Sequence, residues 1–538
     1  MSSSPIPLHQ GFITGYFCDK PTSGPSAGTP DISVSSTTLS TEAKGSIKTL
    51  LEKTNAEGKK DERRILYNID SSLPFQLAAI SLGNSSTPRS LYEKRESVRK
   101  AAANGVRLLS SQGVKEYILD TFSDSQAAVE GAILSSYSYL KFSENCKSLS
   151  FKMAPVCTAN DIQSFKRGFI MASAQNVTRY LADTPANICT PSKFVEVIQK
   201  FAQEHLSHIS SHVKIEAKDA SWAKEQGMNS FLSVSQGSAE PCKFLIMEYQ
   251  GRDANGLSSA DESPIGLVGK GVTFDAGGIS LKPAANMANM KADMQGAAIM
   301  ATSFITAAFC KLPINLVAVI PLTENLPSGT ATKPGDVITA SNGKTIEGRL
   351  ILADALVFIK KYSPSVIIDA ATLTGAIGVA LGSATSAIFS TCDNLFKEME
   401  EAGYSSGDRI WRMPLWDDYR PLMDSSVADI KNASSLRGGG ACTAAAFLKE
   451  FVDDGQVWAH LDIAGTMQVS SEDGVLSKGM SGRPIRMLLY WLLERSKATL
   501  ARFALLLFNC SSGSSLETLL LSLPEDKISA FCRHFPQY

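Results

Sequence analysis

Short apolar, β-branched runs alternate with longer helical stretches through the second half of this chain. Residues 265–274, 314–322, 366–371 and 457–463 suit buried strands, and residues 294–310, 350–361 and 442–451 suit helices. Such alternation predicts a mainly parallel or mixed sheet flanked by helices, with functional residues at the carboxyl ends of its strands. The first half is patterned less regularly. Residues 22–41, rich in Ser, Thr, Pro and Gly, are expected to form a disordered surface loop. Residues 77–81 are a strand candidate and 92–109 a basic helix. A long helix is predicted over 161–181, with an acidic first residue and apolar positions at Phe165, Phe169, Ile170 and Ala174. The resulting fold class is α/β in two domains. A smaller N-terminal α/β domain spans 1–165, a larger domain spans 166–495, and an atypical tail follows over 496–538.

Composition adds mainly exclusions. With 538 residues, 44% hydrophobic and 20% charged, the chain can bury a sizeable core. A formal net charge of -1 and scattered basic residues give no case for nucleic acid or an anionic membrane. Ten dispersed cysteines form no C-x-x-C pair and read as buried free thiols in a reducing compartment. The first lysine is Lys20, so a secretory or mitochondrial address is not expected and a cytoplasmic location is. Residues 297–310 are apolar but too short to span a membrane, and a buried helix is the expectation.

The chemistry concentrates between Val268 and Arg349. Gly269-Lys270-Gly271-Val272-Thr273-Phe274-Asp275 is followed by Lys282, Asp293, Glu347 and Arg349, each inside an apolar or Gly-rich stretch. A lone charge is costly to bury in such surroundings. Three carboxylates and two lysines in one crevice point to a hydrolase using two metal ions, because a bridging group must reach both. Asp275 read alone is equally well a turn aspartate, and Asp293 a helix cap. Lys270 is harder to explain structurally, and beside a metal its amine can turn neutral and act as a ligand. With six histidines and no H-E-x-x-H, a His-based zinc site has little support. His205, His208 and His212 stand at helical spacing, but a structural zinc needs four ligands and a surface position is expected. Arg437-Gly438-Gly439-Gly440 lacks the ending of a P-loop and reads as a loop before a helix. Ser280 and Cys442 have no His partner at any suggestive position, which disfavours nucleophilic catalysis.

These residues resemble the leucyl (cytosol) aminopeptidases. The resemblance runs from about 164 to 494 and is carried by V-G-K-G-V-T-F-D-A-G-G-I-S from Val268, K-A-D-M-Q-G-A-A from Lys291 and N-G-K-T-I-E-G-R-L from Asn342. It continues in A-T-L-T-G from Ala371, G-A-C-T-A-A-A-F-L from Gly440, H-L-D-I-A-G from His460 and G-M-S-G-R-P from Gly479. It implies a metal-dependent aminopeptidase that removes N-terminal, Leu-like and other, residues from peptides. Lys270, Asp275, Asp293 and Glu347 would be ligands to two divalent ions, Zn²⁺ or Mn²⁺, with Asp275 and Glu347 bridging. Lys282 would hold the substrate carbonyl oxygen, and Arg349 a bicarbonate acting as general base. One ion would take the peptide amine, with Asp293 helping to orient it. Met290, Thr372, Leu373, Gly375 and Ala464 would line the pocket for the first side chain. A homohexamer is implied as well.

The sequence departs from the family pattern at one place. Relatives usually carry N-T-D-A-E immediately before Gly-Arg-Leu, whereas Asn342-Gly343-Lys344-Thr345-Ile346-Glu347 runs straight into Gly348-Arg349-Leu350. An internal deletion joining two similar Glu-containing ends explains this most simply, so that Glu347 stands for either glutamate. Thr345 takes the spacing of the missing aspartate and is a weak substitute for a charged ligand. The alternative expectation is therefore a catalytically impaired or inactive family member acting as a non-catalytic subunit. The tail beyond 496 adds apolar runs at 503–508 and 519–523 with no partner signature.

Overall fold

The computed structural model describes residues 10–19, 31–36, 39–69, 76–139, 152–156, 159–257, 263–348, 351–432 and 438–507. It divides into two compact units, residues 1–173 with 470–478, and the remainder. The division falls at 173/174, and a short segment near 470 returns to the first unit.

In the first unit β1 (Gln10–Asp19) is central. Around it are β2 (Asp31–Ser35), α1 (Thr41–Lys53), β3 (Arg63–Tyr67), β4 (Gln76–Ser81), α2 (Leu91–Ser111), β5 (Glu116–Asp120), α3 (Ser125–Ser136) and β6 (Lys152–Val156). Among the described residues the strands order β3-β4-β1-β5-β6, with β2 antiparallel to β1 at the side. Strand β2 lies inside the stretch expected to be loop. The reason is its alternation: Ile32 is buried against Phe12, Tyr16, Ile47 and Leu51 while its neighbours face out. Helix α2 begins at a capping box in which Ser90 and Glu93 satisfy each other's backbone N–H groups.

Helix α4 (Ala159–Asp183) runs across the division and is longer than the predicted 161–181. The second unit continues with α5 (Pro191–Leu206), β7 (Val213–Lys218), α6 (Ala220–Glu225), α7 (Asn229–Ser235), β8 (Lys243–Gln250), β9 (Ile265–Gly269), β10 (Gly271–Asp275), α8 (Gln295–Phe309) and β11 (Asn315–Asn325). Then come β12 (Val337–Thr339), β13 (Thr345–Glu347), α9 (Ile351–Ile359), β14 (Val366–Ala371), α10 (Gly375–Leu381), β15 (Ser386–Ser390), α11 (Asp393–Ser406), β16 (Ile410–Arg412), β17 (Ile430–Lys431), α12 (Gly440–Lys449), β18 (Trp458–Asp462) and α13 (Ile485–Leu507). The main sheet runs β16-β15-β18-β14-β9-β11-β8-β7, with β10 beside β11. Its centre, β18-β14-β9-β11, is parallel, and antiparallel neighbours at β15 and β8 make it mixed. This is the two-domain α/β architecture expected from the chain's patterning.

Every residue of α8 is buried, which is how a helix with apolar residues on all its faces is accommodated. The surface expectation for His205 is corrected. Its side chain is only 6% exposed and packs edge-on to Phe201 and Phe309, because the last turn of α5 lies against α8. His212 sits nearer solvent, 3.6 Å from Asp253. The described cysteines, Cys18, Cys189, Cys242, Cys310, Cys392 and Cys442, are free thiols. Helix α13 extends to Leu507, and the tail from 508 lies outside the described residues.

Candidate active site

The apolar run 265–274 is broken at Lys270 into two strands that pair in parallel with successive stretches of β11. Lys270 donates its backbone N–H to the Ala370 carbonyl of β14 and accepts from Ala297 N–H of α8. Strand β10 then pairs with the far end of β11, with an irregularity between Val272 and Phe274. The start of α8 is clamped against β14 here: a Cβ on Gly296 would lie 2.1 Å from the Ala370 oxygen, so only glycine allows the approach. The carboxyl ends of β9, β10, β11 and β14 thus gather around one crevice.

A cavity of about 270 Å³ opens there, lined by Lys270, Asp275, Lys282, Asp293, Asn325 and Leu373 among others. Lys270 Nζ lies 2.7 Å from both carboxylate oxygens of Asp293 and donates to the Thr372 carbonyl at 2.9 Å. Only Asp293 Oδ1 takes an aligned hydrogen bond from it, and Thr372 Oγ1 donates to the same oxygen at 2.6 Å. Oδ2 is buried without a directed bond of its own. Burial pushes the Asp293 carboxyl up to about 6 despite the pull of Lys270. Asp293 is not the cap of α8, a position taken by Met294 without any side-chain bond.

Asp275 behaves oppositely. Burial opposes its ionisation, but Lys270 and Lys282 outweigh that and hold the carboxyl down at about 2. Its Oδ1 accepts from Asn325 Nδ2 at 2.6 Å and from the Gly277 N–H at 2.9 Å, and its Oδ2 faces Lys282 Nζ. Gly277 adopts φ +93, which lets the chain turn back so that Lys282 reaches the aspartate. Lys282 also lies 3.3 Å from the Met290 sulfur.

Of the residues expected at a site, Lys270, Asp275, Lys282, Asp293, Thr372 and Leu373 come together, with Met290 beside Lys282. Gly375 begins α10 behind the cap Thr374, and Ala464 packs against the apolar cluster of α10 and α12. Glu347 does not itself line the cavity, but its carbonyl accepts from the N–H of Asn432, which does, at 3.1 Å. It ends β13, in a small sheet with β12 and β17, and accepts Ser425 Oγ at 2.6 Å. Thr345 is likewise engaged, with Asp429 at 2.8 Å. Arg349 falls outside the described residues.

Two residues were not anticipated. Asn325 stands at the carboxyl end of β11, where the strand-end rule alone points to it. Asp462, at the end of β18, accepts Thr374 Oγ1 at 2.6 Å and the N–H groups of Leu373, Thr374 and Ala464 at 3.2–3.4 Å. It fixes the loop that carries Thr372 and Leu373.

The donor chemistry fits a divalent ion: two carboxylates, one of them buried and ion-paired to Lys270, and that lysine's amine converge within one cavity. Among the described lining residues, Asp275 and Asp293 are the two carboxylates. Among the described residues no group of three or more His, Cys, Asp or Glu side chains is arranged to hold a metal.

Comparisons with known proteins converge on one family. Residues 176–489 match the profile described as the cytosol aminopeptidase family, catalytic domain, and residues 25–145 match the same family's N-terminal domain. Cytosol aminopeptidase of Mus musculus is 43% identical over 466 residues, covering 84% of this chain and 87% of that protein. The Homo sapiens protein of the same name is 43% identical over 451 residues, covering 82% and 84%. Among solved structures, the bottromycin maturation enzyme BotP in complex with Mn superposes with a TM-score of 0.75 at 27% identity, over 91% of this chain and all of that one (100%). A tomato leucine aminopeptidase mutant superposes at 0.71, with 27% identity and coverage of 83% and 86%.

Proposed function

This chain belongs to the cytosol aminopeptidase family, and from that premise we propose that it is a metal-dependent aminopeptidase releasing Leu-like and other residues from the N-termini of peptides. The observation that carries the proposal is the convergence of Lys270, Asp275, Lys282 and Asp293 on one cavity at the strand ends.

Asp275, Asp293 and the Lys270 amine are the residues to hold the metal. A bound divalent ion, Zn²⁺ or Mn²⁺, supplies a Lewis acid for the scissile carbonyl and lowers the pKa of a water molecule. The Lys282 side chain stands at the cavity wall, 36% exposed, where it offsets negative charge growing on the carbonyl oxygen. Asp293 helps to receive the peptide's free α-ammonium, which confines cleavage to the first residue. Met290, Thr372, Leu373, Gly375 and Ala464 shape the first side-chain pocket. Such a pocket separates side chains by only about 1–3 kcal/mol per methylene, so specificity is broad. Arg349 serves by gripping bicarbonate as a general base, through a planar guanidinium fork suited to bidentate contact. The chain works in the cytoplasm as a homohexamer, a state that light scattering after size-exclusion tests directly.

A two-ion reaction with Asp275 and Glu347 as bridges requires Glu347 to leave Ser425. That contact favours a second reading, in which the chain is an impaired member serving as a non-catalytic subunit. Leucyl-anilide hydrolysis by the purified protein with added Mn²⁺ or Zn²⁺ decides between them. Turnover that chelation abolishes supports the first reading, and no turnover under either metal leaves the second.

A further inference from the structure

We propose that each copy of this chain holds one divalent ion rather than two, at Lys270, Asp275 and Asp293. The proposal rests on the metallo-aminopeptidase reading and narrows it.

Three lines of observation meet. The first is the donor inventory of the cavity. Asp275 and Asp293 are the carboxylates on its wall, and the other polar side chains there are Lys270, Lys282, Ser280, Asn325 and Asn432. The second is the state of the carboxylates and hydroxyls nearby in the sequence motifs or on the same strand ends. Glu347 is held by Ser425, Thr345 by Asp429, Glu324 by Ser238 at 2.6 Å, and Asp462 by Thr374. The third is the sequence that follows Gly348 and Asn432. Residues 349–350 are Arg and Leu, and residues 433–437 are Ala, Ser, Ser, Leu and Arg, so neither brings a carboxylate, imidazole or thiolate.

Charge points the same way. Two lysines already face the two aspartates, and each added dication brings two more positive charges into a half-closed crevice. One ion can take the place of a Lys270 ammonium proton, which passes to water, and sit between that amine and the Asp293 carboxylate, where its charge is offset. A second would meet no further carboxylate and would stand as an uncompensated charge away from bulk water, a costly arrangement. The deep position beside Asp293, with its undirected Oδ2, is where the single ion belongs.

The test is metal counting on the full-length protein. Apo protein is dialysed against buffered Mn²⁺ from low micromolar upward, metal per chain is measured by mass spectrometry, and the Mn²⁺ is examined by electron paramagnetic resonance. The expected result is a plateau at one Mn²⁺ per chain with an uncoupled six-line spectrum. Asp293→Asn and, separately, Asp275→Asn should lower affinity by at least about 100-fold, while Glu347→Gln should leave the plateau at one. Two ions per chain with an exchange-coupled spectrum would overturn the inference and leave the aminopeptidase reading intact. No metal bound, with no leucyl-anilide turnover, would overturn both.

Discussion

Two halves of one reactive cluster are built to different standards. The first, from Lys270 to Asp293, is anchored on β9, β10 and the start of α8, and each side chain has partners that fix its direction. The second, around Glu347, hangs on a three-residue strand of a small separate sheet and turns its carboxylate to Ser425. Gly348 follows at φ +116, where a Cβ would meet the Asn432 side chain at 2.2 Å. The contrast teaches that the crevice and the carboxylates around it are set by different parts of the fold. Sheet pairing and the burial of α8 make the crevice at the parallel strand ends, whatever the direction of the Glu347 side chain.

The largest effect should come from attacking the stronger half. Asp293→Asn is expected to bring leucyl-anilide hydrolysis to background. It removes a charge that Lys270 and Thr372 are arranged around and leaves Lys270 without its ion-pair partner. Activity retained at more than about a tenth of wild type, against the roughly 10–100-fold losses typical even of groups that only support metal ligands, would show that the chemistry lies elsewhere.

The next effect is a gain, from rebuilding the weaker half. Inserting V-D-N-T-D-A-E between Glu347 and Gly348 should raise the metal plateau to two ions and kcat/KM on the order of 100-fold, the scale set by displacing a catalytic group by about 1 Å. A variant that gains the second ion but no rate would locate the defect in Arg349 rather than in ligand count. One that gains neither would sink the account of the departure as a deletion.

Much of this was legible beforehand, for physical reasons. The buried parallel strands betray themselves by continuous apolar runs, and residues 366–371 coincide with β14 because both its faces are covered. The break at Lys270 was not legible, since an apolar run does not say where a chain leaves its sheet. The burial of His205 was missed because the sequence shows a Ser-rich helix exit and not the neighbour packed on it. For the site, residue type and motif marked Lys270, Asp275, Lys282 and Asp293. Where the Glu347 side chain points depends on Ser425, 78 residues later in the sequence, and no local pattern encodes that.

A milder effect is expected at Asp462, which touches neither metal ligands nor solvent but fixes the 372–375 loop. Asp462→Asn keeps the size and loses one acceptor oxygen, so Thr374 and the Leu373 and Thr374 N–H groups compete for what remains. The loop carries the Thr372 carbonyl that takes Lys270 and the Leu373 side chain that lines the pocket. KM for leucyl substrates should rise by roughly 10-fold, as for the loss of a charged hydrogen bond of about 1.5 kcal/mol, with the metal plateau unchanged. Equal KM in wild type and variant would remove Asp462 from any positioning role.

The last effect is on stability and leaves catalysis untouched, and it compares the two units through their buried carboxylates. Asp275 has two lysines and stays ionised, whereas Asp120, at the end of β5, has burial and only neutral donors, Thr14 Oγ1 at 2.6 Å among them. Burial pushes its carboxyl up to about 6, and the hydrogen bonds from Thr14 and Ser36 offset only part of that. The folded chain therefore keeps this proton at pH values where the unfolded chain has released it. Stability from this group is present at about pH 4 and falls as pH rises towards and past 6, by on the order of 3 kcal/mol in full. Asp120→Asn keeps the volume and abolishes the titration, so urea midpoints measured from pH 4 to 7.5 should decline less in the variant than in wild type. Parallel curves for the two proteins would mean that Asp120 is ionised in the native state at low pH, and that a buried carboxylate in this fold needs no lysine to stay charged.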